Sequence, residues 1–127
     1  MARVRSLSRK SDFKKVYEEG EKRVGRFLVL YFLPGADDAR AVIASRKLGG
    51  AVQRNRAKRL LREALASPAI GGPGSKERIL GKLFPAPNGE EASKDKMRGL
   101  WVVAIARRGI LTAKSADVSS EVEQLLE

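Results

Sequence analysis

The chain has no cysteine and no histidine in its 127 residues. Their absence excludes disulfides, thiol nucleophiles, structural zinc and imidazole acid–base catalysis together. It also fits a cytoplasmic setting, which is the expected location. Long apolar runs are missing too. No stretch approaches the ~20 residues that a membrane-spanning helix needs, so no membrane partner is expected. The opening residues, MARVRSLSRKSD, are basic without an apolar core and do not read as a secretory signal. Acid is scarce in one half only. Residues 1–66 hold seventeen Lys and Arg against seven Asp and Glu, while residues 67–127 hold nine against eight. A net charge of +11 concentrated in this way points to a polyanionic partner, nucleic acid ahead of an anionic membrane.

What is present is densest between Ser45 and Ala66. Ala57, Leu60, Leu61, Ala64 and Leu65 recur at the spacing of an amphipathic helix. Lys58, Arg62, Asn55 and Arg59 fall opposite them, Arg56 lies further round, and Arg54 sits at the margin beside Lys58. Arg54, Lys58 and Arg62 repeat at i, i+4 with no acid between them, and Glu63 is the one carboxylate nearby. Like charges at that spacing repel. The repulsion is relieved when a polyanion lies along the face.

The length suits a single domain over residues 1–127. A first helix is expected from Ser11, as N-cap, to Glu19, preceded by a mobile cationic tail over residues 1–10. Phe13, Val16 and Tyr17 share one face of that helix, which allows either a core role or partly open stacking surfaces. Arg23 to Leu33 reads as strand, broken near Gly25, with both faces of the longer part apolar. Tyr31 is the member of it whose hydroxyl wants a partner. Pro34 to Asp38 reads as a turn, and Arg40 to Ser45 as a strand returning antiparallel. Arg46, Lys47, Leu48 and two glycines then lead into the basic helix, either as a plain joint or as amides able to hold phosphate. Residues 67–99 are rich in Pro and Gly and read as a flexible or poorly packed insertion. Ile79, Leu80, Leu83 and Phe84 allow one short amphipathic turn within it. Trp101 to Ala106 reads as a buried central strand and Asp117 to Leu126 as a closing helix. The expected class is α+β: a single sheet of about four strands with helices packed on it, in the order α-β-β-β-α-β-α.

The run from Gly49 to Glu63, GGAVQRNRAKRLLRE, closely resembles the RNR motif of the bacterial ribonuclease P protein subunit. Arg54-Asn55-Arg56, Lys58-Arg59 and Arg62 stand where that family has them, and the likeness covers most of the chain except the insertion. The resemblance implies RNA binding by Arg54, Asn55, Arg56, Lys58, Arg59 and Arg62, and Arg46 and Lys47, just before the motif, are expected to bind RNA with them. It implies that Phe13, Tyr17 and Tyr31 line a cleft for the 5′ leader of precursor tRNA, flanked by Arg54 and Lys58. It also implies a left-handed β-α-β crossover, against the general right-handed rule. The implied partners are a catalytic RNA subunit and precursor tRNA. The implied metal is Mg2+, used by that RNA for hydrolysis.

No catalytic constellation is visible in the protein itself. Asp37-Asp38 lies in an apparent turn and Glu90-Glu91 in the insertion, neither being the fixed setting that metal-assisted phosphodiester cleavage needs. Two rivals share the charge: a ribosomal or other structural RNA-binding protein, which needs no aromatic cleft, and a stand-alone nuclease, which needs a metal site. On the helix, the angular reading gives Arg56, Arg59 and Arg62 to the catalytic RNA and Arg54 and Lys58 to the leader.

Overall fold

The computed structural model describes residues 4–84 and 99–127. Five strands form one sheet: β1 (Arg5–Ser6), β2 (Glu21–Val24), β3 (Leu28–Gly35), β4 (Ala39–Ile43) and β5 (Gly99–Ala106). Their spatial order is β1-β4-β5-β3-β2. The pairs β1–β4 and β4–β5 are parallel, while β5–β3 and β3–β2 are antiparallel. The helices are α1 (Lys10–Glu19), α2 (Ala51–Leu65), α3 (Pro68–Gly71), α4 (Ser75–Leu83) and α5 (Ser115–Leu125). Short 3-10 turns at Arg46–Leu48 and Arg108–Thr112 precede α2 and follow β5.

Alternation along the strands gives the sheet two apolar faces. Leu28, Leu30 and Phe32 of β3 with Leu100, Val102 and Ala104 of β5 meet the apolar stripe of α2, joined by Val118 and Val122 of α5. Every position of that stripe, Ala57, Leu60, Leu61, Ala64 and Leu65, is buried. On the other face, Leu33, Ala39 and Val103 pack with Val16 of α1 and with Leu7. Apolar residues on both sides of β3 therefore reflect a strand covered on both sides.

The structure departs from the sequence expectations at several points. There are five strands rather than about four, because the amino-terminal segment is not a free tail throughout. Arg5 donates its amide to Asp38 and Leu7 donates to Arg40, so β1 extends the sheet edge and Leu7 is buried. The Arg5 guanidinium holds Asp37 at 2.7 Å. The cap of helix α1 is Arg9, two residues before the expected Ser11, which lies inside the helix. Strand β3 runs on through Pro34 and Gly35. Strand β4 does run antiparallel to β3, but β5 lies between them.

The largest departure concerns the region expected to pack poorly. Residues 67–84 carry α3 and α4, and Ile70 and Ile79 are buried in the same cluster as the α2 stripe. Pro68 stands in the first turn of α3, where its missing N–H costs nothing. Gly74 takes the left-handed conformation, φ 75°, just before α4. Pro68 and Gly74 thus punctuate two short helices in the described part of this region. Ser75 is fully buried and donates its hydroxyl to the Pro68 carbonyl, tying α4 back to α3. The remainder of the expected insertion, residues 85–98 with Glu90-Glu91, lies outside the described residues.

Candidate nucleic-acid interface

Helix α1 covers only part of its sheet face. Val16, Leu33, Ala39 and Val103 are buried beneath it, while Tyr31, Ala41, Ile43 and Ile105 stay half-exposed. The rim of this open floor is aromatic. Phe13 and Tyr17 lie one helical turn apart with ring centroids 6.2 Å from each other. The Tyr17 ring meets Tyr31 edge-on at 5.0 Å. Tyr17 is 41 % exposed, so its flat surface remains available. Burial, and secondarily the neighbouring Tyr31, push its phenol above the ordinary value. Phe13, Tyr17 and Tyr31 thus come together as one cluster.

The cation beside this cluster is not one the sequence singled out. Lys22 lies directly across from Tyr31 in the β2–β3 pair, and its ammonium is 5.8 Å from the ring centroid. Cross-strand register makes this pair, and the sequence alone does not disclose it. A second aromatic also went unremarked. Trp101 lies on the same sheet face, with Arg5 and Lys15 at 5.4 and 5.9 Å from its ring. Its indole N–H donates to Asp37. The Arg5 and Trp101 hydrogen bonds hold the Asp37 carboxyl below its usual range.

Helix α2 packs on the opposite face of the sheet from α1. Arg54 and Lys58 are therefore carried by the helix on the other side of the sheet from the aromatic cluster. Arg46, Lys47, Asn55, Arg59 and Arg62 are exposed, and Arg54 and Lys58 are half-exposed. Among the described residues none of these seven side chains joins an ion pair. The Arg54 Nε is buried without an acceptor. Arg56 differs from all of them. It is partly buried, and its guanidinium donates to the carbonyls of Ile110, Leu111 and Ala113. The sequence groups Arg56 with Arg59 and Arg62, whereas the fold turns it inward. Arg40, at the other end of the sheet face under α2, likewise donates to Leu65 O, and burial lowers its affinity for its proton despite nearby Asp38.

The acids of the turn before β4 are committed to structure. Asp38 accepts from the Leu100 amide at 3.0 Å and lies 3.5 Å from Lys76. Among the described residues no group of three or more acidic side chains is placed to hold a metal ion.

The family described as Ribonuclease P matches residues 1–70. A Ribonuclease P protein component of Coprothermobacter proteolyticus is 44% identical over 64 residues, 50% of this chain and 54% of that protein. The chain thus spans just over half the length of that relative. One from Dehalococcoides mccartyi is 30% identical over 122 residues, covering 94% of this chain and 80% of that one. The ribonuclease P protein of Thermotoga maritima superposes with a TM-score of 0.62 at 21% identity, covering 98% and 96% of the two chains, a likeness of fold. An α+β sheet of this order, the Arg54-Asn55-Arg56 helix upon it and matches over the amino-terminal half and nearly the whole chain together make this chain a member of the ribonuclease P protein family.

Proposed function

We propose that the chain is the protein subunit of a ribonuclease P holoenzyme. The exposed cations of α2 bind the catalytic RNA, and the open sheet face receives the single-stranded 5′ leader of precursor tRNA. The RNA subunit supplies the Mg2+-dependent hydrolysis that removes the leader. The protein contributes affinity and orientation, not a reacting group.

The observation that carries this reading is the aromatic rim on a half-open apolar floor. Phe13, Tyr17 and Tyr31 form one contiguous aromatic edge, with Lys22 alongside. Every base has a π-face, so such a surface grips single strands with little sequence preference, at about 1–3 kcal/mol per stacked base. A purely structural RNA-binding protein needs the cationic helix but has no use for that edge.

Mixing the purified chain with a bacterial ribonuclease P RNA tests the proposal. The protein should tighten binding of precursor tRNA more than that of mature tRNA, which has no leader. Equal tightening of both would favour the structural rival. Cleavage by the protein without RNA would favour the stand-alone nuclease.

A further inference from the structure

Arg56 sits inside the Arg54–Arg62 cluster yet faces the protein. Its Nη1 donates to the carbonyls of Ile110 and Leu111 at 3.2 and 3.1 Å, and its Nη2 to that of Ala113 at 2.7 Å. These oxygens lie at the end of the 3-10 turn Arg108–Thr112, where the dipole is negative; that of Ile110 also accepts the Ala113 amide at 3.1 Å. Ala113 is buried, so removing the guanidinium would take away the donor to its carbonyl where water has little access. The planar fork reaches three oxygens at once, which an ammonium does not reproduce.

The turn it holds is also tied at its start. The Arg107 amide donates to Phe27 O, and its Nη1 donates to Gly25 O at 2.7 Å. The hairpin so anchored carries Lys22 and Tyr31. A continuous line of hydrogen bonds therefore runs from the basic helix, through the turn after β5, to the strands bearing the aromatic edge.

We propose that Arg56 is a positioning residue and not an RNA ligand. It fixes α2 against the turn after β5, and so sets the direction in which Arg59 and Arg62 present their charge. The inference rests on α2 being the RNA-binding face.

The test begins with the unaltered protein. An arginine-selective dicarbonyl is applied to it free and in complex with ribonuclease P RNA, and modified peptides are mapped by mass. Arg59 and Arg62 should react in the free protein and be protected by RNA, while Arg56 reacts slowly in both states. Rapid reaction of Arg56 in the free protein, with protection by RNA, overturns the proposal. Protection at none of the three would instead sink the RNA-binding reading of α2, while slow Arg56 reaction in the free protein would still support the inward clamp. A second arm compares Arg56→Lys with Arg59→Ala, each checked for folding by circular dichroism. Arg59→Ala should reduce the salt slope of log affinity by about one phosphate contact. Arg56→Lys should weaken RNA binding several-fold with the slope unchanged. Wild-type affinity in Arg56→Lys would show that charge alone matters there, and the proposal would fall.

Discussion

Replacing Tyr17 with alanine separates binding from folding more cleanly than any other change on the aromatic edge. Phe13 is half-buried against the cluster around Val16, so its loss would disturb the core as well. Tyr17 is 41 % exposed and touches Phe13 and Tyr31 at the rim. Each aromatic contact of this kind is worth about 0.5–1.5 kcal/mol beyond burial, and partial exposure puts the Tyr17 pair towards the lower end. Loss of about 1 kcal/mol in a domain of this size lowers the melting temperature by roughly 4 °C. Binding should suffer more. One lost stacked base costs about 1–3 kcal/mol, so precursor tRNA affinity for the holoenzyme should fall roughly tenfold or more. Mature tRNA affinity should stay where it was. Tyr17→Leu keeps the apolar volume without the flat face, and it should restore stability but not precursor binding. Fluorescence anisotropy with both tRNAs and a thermal melt supply every number needed. Equal weakening of the two tRNAs would refute leader stacking. A fall in melting temperature beyond about 10 °C would mean that Tyr17 is core.

Three further outcomes follow from the packing. Ile79→Ala should cost about 2–5 kcal/mol in denaturant unfolding, because Ile79 is 4% exposed within the main cluster. A loss under about 0.5 kcal/mol would restore the view of residues 67–84 as a loose insertion. Glu121→Ala should be strongly destabilising, by about 3 kcal/mol or more, since its carboxylate accepts the amides of Arg26, Phe27 and Leu28 and would leave them unpaired. Spectrophotometric titration should show Tyr17 ionising above the usual 10.0, and Phe13→Ala should bring that value down by admitting water. The sign for stability is that a raised phenol pKa contributes fully below pH 10.0, and the contribution is lost as pH rises from there through the folded-state value. A normal Tyr17 titration would contradict the packing of the rim.

Much of this was readable before the fold. The α2 stripe of Ala57, Leu60, Leu61, Ala64 and Leu65 is buried position for position, because one long amphipathic helix has few ways to satisfy its period. The parallel pairing of the Arg40 and Trp101 strands, by contrast, is seen only in the fold. Other features depend on partners far along the chain. Nothing local distinguishes Arg56 from Arg59; the difference is made by carbonyls at 110, 111 and 113. The anchoring of Leu7 requires β4 to offer its edge. Ile79, Leu80 and Leu83 marked part of α4 as one amphipathic turn, but its full nine residues and the four of α3 give too little periodicity to outweigh the glycines and prolines around them. Lys22 became a neighbour of Tyr31 only through register, which a single strand does not disclose.

The strand order also carries a consequence for synthesis. Strand β5 holds the centre of the sheet between β4 and β3, yet its residues, Gly99–Ala106, follow all the others in the chain. Until they leave the ribosome, β4 and β3 have no common neighbour, and the α2 stripe lacks Val102 and Ala104 to pack against. Closing this gap joins residues more than 50 positions apart, such as Ile43 and Ile105, which makes folding a late and non-local event. Meanwhile the emerged half is the strongly cationic one. The nascent chain is therefore an unfolded polycation held beside ribosomal RNA, with its apolar stripe uncovered. Chaperone binding and non-specific RNA adsorption should both be greatest in that interval and end when β5 slides into place.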